Sequence, residues 1–153
     1  MRFAVHRPGC PVASPRSHGV PRRAAILMTS TSYSGALLGE SLRPGAVLDG
    51  IPLAVTKIYR APLGNAEARQ PELWTVIDFE VPADRARELA EALSRLLLAD
   101  GGWYCDFRSA EEVFIVFSGR IFRYPRGDRA GRALAEEYGR SVGVPEAQLD
   151  WPD

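Results

Sequence analysis

Residues 101–128, GGWYCDFRSAEEVFIVFSGRIFRYPRGD, constrain the fold more than any other stretch of the chain. Trp103, Cys105 and Phe107 alternate with Tyr104, Asp106 and Arg108, the period-two pattern of a strand with one dry and one wetter face. After a polar loop at 109–112, Val113, Ile115 and Phe117 alternate with Phe114 and Val116. This second strand is apolar on both sides and is expected near the centre of a sheet. Ser118 and Gly119 suit a two-residue turn, with Gly119 where φ must be positive, and the chain returns through Ile121, Phe122, Arg123 and Tyr124. Three strands joined in this way make an antiparallel meander.

The flanking segments supply what packs on the meander. Leu73, Thr75, Ile77, Phe79 and Val81 alternate with Trp74, Val76, Asp78 and Glu80, a further strand that Pro82 stops. Ala86, Leu89, Ala90, Leu93, Leu96 and Leu97 then recur at helical spacing, with Asp84 and Glu88 in the first turn and Gly101-Gly102 as the stop. Residues 53–60 are rich in β-branched residues and read as a strand, and 61–71, with two prolines, a glycine and Asn65, read as a loop. The run YSGALLGESL at 33–42 is broken by Gly35 and Gly39; it fits an edge strand or a short helix, and strand is preferred. Asp128 is placed to cap a second helix in which Ala130, Ala133, Leu134, Tyr138 and Val142 share a face, while Gly131, Ala135 and Gly139 leave a neighbouring face open to close approach. Leu149 and Trp151 are expected to anchor the C-terminal segment. The fold expected is α+β: an antiparallel sheet of about five strands in the order ββαβββα, packed by two helices, with an extra N-terminal edge strand if 33–42 is one.

Composition narrows the chemistry. With 153 residues, 46% apolar and 25% charged, the chain suits one domain, and no apolar run approaches the roughly 18–20 residues of a membrane span. Arg2, Arg7, Arg16, Arg22 and Arg23 fall in residues 1–27, where there is no acid, so acids outnumber bases by five from Met28 onward. An acidic domain is a poor general binder of nucleic acid. Residues 1–27 carry no periodicity and are expected to be a disordered leader, with Met28 as the true start of a single domain over 28–153; a basic targeting or nucleic-acid-binding arm is the alternative. His6 and His18 both lie in that leader, which leaves the domain without a histidine base or metal ligand. Cys10 and Cys105 cannot pair within the domain, and one cysteine builds no zinc site, so a cytoplasmic setting without cofactor or metal is expected.

Taken together, GWYCDF at 102–107, VFIVFSGRIFR at 113–123 and EYGRSVGVPEAQLDW at 137–151 resemble a widespread family of small, uncharacterised bacterial proteins. In that family a GWY-like strand, a VVF hairpin and a closing YG…GIPE-QLDF signature follow one another. The resemblance spans the C-terminal third to half of the chain, with Val144 where Ile is usual and Trp151 where Phe is usual. It implies a bacterial source and a fold, and no established activity.

Three constellations carry chemistry. Arg120, Arg123, Arg126, Arg129 and Arg132 recur every three residues and offer either an anion site at the helix start or a solvated rim; a period of three alternates faces on a strand, which favours the rim. Asp106 with Asp78 or Glu80 could supply a carboxylate pair on the wetter sheet face, although acids shown to solvent are commoner. Trp74, Tyr104, Phe114, Tyr124 and Trp151 are expected on the face that the first helix leaves uncovered, either as core beneath the second helix or as an exposed aromatic surface. Cys105 reads as a buried core thiol rather than a nucleophile, and Arg126-Gly127-Asp128 as a cap rather than an adhesion motif. Two functional readings follow, neither with an assigned catalytic residue. The preferred one is a non-catalytic interaction or regulatory module, pairing with an unknown protein or with itself through an open sheet face or edge. The other is a small-molecule or anion-binding domain, with an enzyme left open, using Trp74, Tyr104, Tyr124, Arg120 and Arg123 with Asp106 as polar guide. An enclosed cavity favours the second and a flat apolar face the first.

Overall fold

The computed structural model describes residues 31–62 and 71–151. The leader, the suspected start at Met28 and most of the expected loop at 61–71 lie outside them. Eight main elements follow in order: β1 (Ser32–Leu38), β2 (Ala54–Pro62), β3 (Leu73–Pro82), α1 (Ala86–Leu96), β4 (Tyr104–Arg108), β5 (Glu112–Phe117), β6 (Arg120–Pro125) and α2 (Arg129–Ser141). The fold is α+β, with one open, wholly antiparallel sheet in the order β2-β3-β1-β4-β5-β6.

The sheet has six strands rather than five, and the N-terminal strand is not at its edge. β1 lies between β3 and β4 and joins the β2-β3 hairpin to the β4-β5-β6 meander. Gly35 explains the position. It is in register with Phe107 of β4, and a Cβ on it would come within 2.5 Å of the Phe107 Cβ and 2.4 Å of the Asp106 carbonyl oxygen. The glycine that made the segment look like a marginal edge is what lets two central strands approach closely.

One sheet face carries Tyr33, Leu37, Phe79, Val81, Cys105, Phe107, Phe114 and Val116, and α1 closes it with Ala86, Leu89, Ala90 and Leu93. The other face is closed only in part. α2 and the C-terminal segment cover Val113, Ile115, Phe117 and Tyr124. β5 is therefore buried on both faces, as its apolar pattern implied, although it lies one strand in from the edge rather than at the centre.

α2 packs through the small-residue face that the sequence left open to close approach, not through Leu134. Leu134 is 59% exposed, whereas Ala135 and Gly139 are buried. A Cβ at Gly131 would meet the Tyr124 Cβ at 2.6 Å, and one at Gly139 the Leu149 Cδ2 at 2.8 Å. The small residues let the helix backbone lie close against β6 and the C-terminal segment, and that close packing sets the rotation. Asp128 caps the helix as expected, its carboxylate accepting from the backbone N–H groups of Ala130 (3.1 Å) and Gly131 (3.2 Å). Leu149 and Trp151 are buried beside Ala135 and Phe117 and anchor the C-terminal segment. Among the described residues, no helix is long and apolar enough to cross a membrane.

Candidate functional site

Because α2 covers only the β5-β6 side, the second sheet face stays open over β4, β1, β3 and part of β2. The floor of this opening is β1, whose outward residues are Ser34, Ala36 and Leu38. Small side chains on a central strand, flanked by larger ones on β3 and β4, make the face concave. The result is a groove of about 410 Å³ whose walls include Thr56 and Tyr59 of β2; Trp74, Val76, Asp78 and Glu80 of β3; Trp103 before β4; Tyr104, Asp106 and Arg108 of β4; and Gln148, Asp150 and Trp151 of the C-terminal segment.

Strand register fixes how these side chains are arranged. Ala36 is the partner of Asp78 on β3 and of Asp106 on β4, so the two carboxylates flank its methyl group across about 10 Å of sheet. One step along, Ser34 is flanked in the same way by Glu80 and Arg108. At the opposite end Trp74 and Trp103 lie against each other with ring centroids 5.9 Å apart, joined by Val76 and Ala61. The Tyr104 ring meets Trp151 edge-on at 5.3 Å, and its hydroxyl donates to the Gln148 carbonyl at 2.8 Å. Burial, then the neighbouring Asp106 charge, push the Tyr104 phenol well above its usual range, so it stays a protonated donor. Burial and Asp78 also raise the Tyr59 phenol.

The anticipated surface residues are thus dispersed in part. Trp74, Tyr104, Asp106 and Trp151 meet at the groove. Asp78 and Asp106 do share the wetter face, two strands apart rather than in contact. Tyr124 is core beneath α2, and Phe114 belongs to the α1 face, stacked on Phe107 at 4.9 Å; neither joins an aromatic surface. The arginines do not converge. Arg120 lies against the Phe122 and Tyr138 rings (5.4 and 5.8 Å), Arg132 pairs with Glu136 at 2.7 Å, and Arg123 is on the α1 side of the sheet, bound to Glu112 through a two-pronged contact at 2.7–3.0 Å. Cys105 is buried on that same side, donating to the Ala36 carbonyl at 3.4 Å, and burial raises its thiol well above the usual range, which leaves it inert. Sequence reasoning missed Ser34 and Ala36 because β1 was read as an edge, and Tyr59 because the pairing of β2 with β3 that brings it to the groove is not visible in the sequence. Arg108 could have been found, since it shares the alternation phase of Tyr104 and Asp106.

Glu112 is structural, and its titration gives a check on the α1 side. The Tyr33 hydroxyl, which donates at 2.7 Å, and then the Arg123 guanidinium hold its carboxyl below the ordinary 4.5. A carboxyl lowered in the folded state contributes stability that is present above about pH 4.5 and is lost as pH falls through the lowered value. Glu112→Gln is expected to cost no more than about 1 kcal/mol at pH 7, since Arg123 is half exposed, and the gap from the unsubstituted protein should close below pH 4 in urea melts.

No family model matches the chain, and neither a curated protein nor a solved structure matches it.

Proposed function

We propose that this is a small-molecule-binding domain whose site is the groove on the open sheet face. The observation that carries the reading is the concavity itself. A face left open for flat docking on a partner would be expected to be level and apolar, whereas this one is a walled depression in which carboxylates, an arginine and five aromatic residues (Tyr59, Trp74, Trp103, Tyr104, Trp151) face one volume. Its size falls within the roughly 300–1,000 Å³ typical of ligand sites. The binding alternative drawn from the sequence is therefore favoured over the interaction module, with Arg108 in the place given to Arg120 and Arg123.

All three tryptophans of the chain, Trp74, Trp103 and Trp151, line the groove, so intrinsic emission reports on it directly. In a screen of a few hundred small organic fragments, those that bind are expected to shift or quench this emission, and Ala36→Phe, which fills the floor, should abolish the response. A screen without hits, or hits indifferent to Ala36→Phe, would remove the proposal.

The interaction reading keeps one observation in its favour. β2 is an edge strand with Val55 and Ile58 52% and 62% exposed, and an unpaired apolar edge invites a further strand. Pairing there would leave the groove accessible, so the two readings are compatible.

A further inference from the structure

The groove is graded along its length, and the gradient specifies a ligand class. Around Ser34 and Ala36 strand register places three carboxylates, Asp78, Glu80 and Asp106, against a single lining cation, Arg108. Among the described residues the Asp78 carboxylate takes no hydrogen bond or ion pair. Lys57, its cross-strand partner, instead rests its ammonium on the Tyr59 ring, 4.1 Å from the centroid. The rim of the groove thus already holds one ammonium on an aromatic face. Toward the other end the walls are aromatic, and there Trp74, only 7% exposed, has a buried indole N–H with no hydrogen-bond acceptor. A buried donor left unmatched costs free energy that an incoming acceptor would recover.

Resting on the ligand-binding reading, we infer that the groove takes a compact organic cation. Its ammonium-type head sits over Ala36 between Asp78 and Asp106, its apolar body lies along Tyr59 and Trp74, and a hydrogen-bond acceptor at its far end meets the Trp74 N–H. Each part answers a separate physical demand. The Asp78 carboxylate, shielded from water by a ligand, needs a countercharge, which a neutral head does not supply and an anionic head opposes. Aromatic faces attract cations and bury the body.

Calorimetric titration of the full chain with three probes of one shape separates the possibilities: tyramine, the neutral alcohol 2-(4-hydroxyphenyl)ethanol and the anion 4-hydroxyphenylacetate. Tyramine is expected to bind at least tenfold more tightly than the alcohol, and the anion not at all. Asp78→Asn should weaken tyramine about tenfold and leave the alcohol within twofold. Trp74→Phe, which keeps a ring and removes the N–H, should weaken both by a few fold. Equal or tighter binding of the alcohol or the anion would overturn the cation assignment and leave the groove standing as a site. Failure of tyramine, benzyltrimethylammonium and spermidine alike would also overturn it; the ligand-binding reading falls only if the neutral and anionic fragments fail as well.

Discussion

Phe107→Ala is expected to lower the stability of the domain by about 3–5 kcal/mol, the usual cost of removing a fully buried phenylalanine ring. Phe107 is wholly buried at the middle of the α1 face. Its ring stacks on Phe114 at 4.9 Å with the planes 13° apart, and lies 6.1 Å from Tyr33 and 6.0 Å from Phe79. Those three rings come from β5, β1 and β3, so Phe107 is where four strands meet. Alanine would leave a void bounded by strand residues whose backbones are held by ladder hydrogen bonds, and such a site collapses poorly. A small domain has about 5–15 kcal/mol in total, so urea unfolding should show a large fall in midpoint with an unchanged slope. A loss below about 1.5 kcal/mol would mean that the core is not centred there.

Gly35→Ala is expected to cost about 3 kcal/mol, at the upper end for overpacking. The new methyl would fall 2.4 Å from the Asp106 carbonyl oxygen and 2.5 Å from the Phe107 Cβ. Neither atom can swing aside, because one is backbone and the other is bonded to it. Shaving the ring by Phe107→Ala cannot rescue the change, since the clash is with the Cβ that alanine retains. The only relief is for β1 and β4 to move apart, which would also spread Asp78 and Asp106 on the opposite face. Thermal melts should show the loss of stability. If Gly35→Ala is tolerated, β1 does not pair with β4 in this register.

How much of this was legible in the sequence follows from which interactions were local. The meander, α1 and the Asp128 cap could be read because alternation, helical spacing and a capping residue are properties of neighbours in the chain. β1 was misplaced because its sheet position depends on Phe107, more than seventy residues away, and a glycine alone does not say what approaches it. The rotation of α2 was legible in part: Gly131, Ala135 and Gly139 marked the face open to close approach, whereas what fills it, Tyr124 and Leu149, is set by the fold. The groove was half visible. Trp74, Tyr104, Asp106 and Trp151 were identified from their strand phases and end placement, but its floor, Ser34 and Ala36, is made by the absence of side-chain bulk. A missing side chain marks a depression only once the neighbouring strands are known. Arg120 and Arg123 were drawn in by their charge, although their positions on β6 put them on opposite faces.

The measurement that bears most directly on the account is two-dimensional amide NMR of the isotope-labelled chain, with the fragments that alter its tryptophan emission. If the open face is the binding site, shifts will concentrate on Ser34, Ala36, Asp78, Tyr104 and Asp106, and the α1 face around Leu93 will stay silent. Shifts confined to the β2 edge at Val55 and Ile58, or scattered without focus, would contradict a binding groove between β3 and β4.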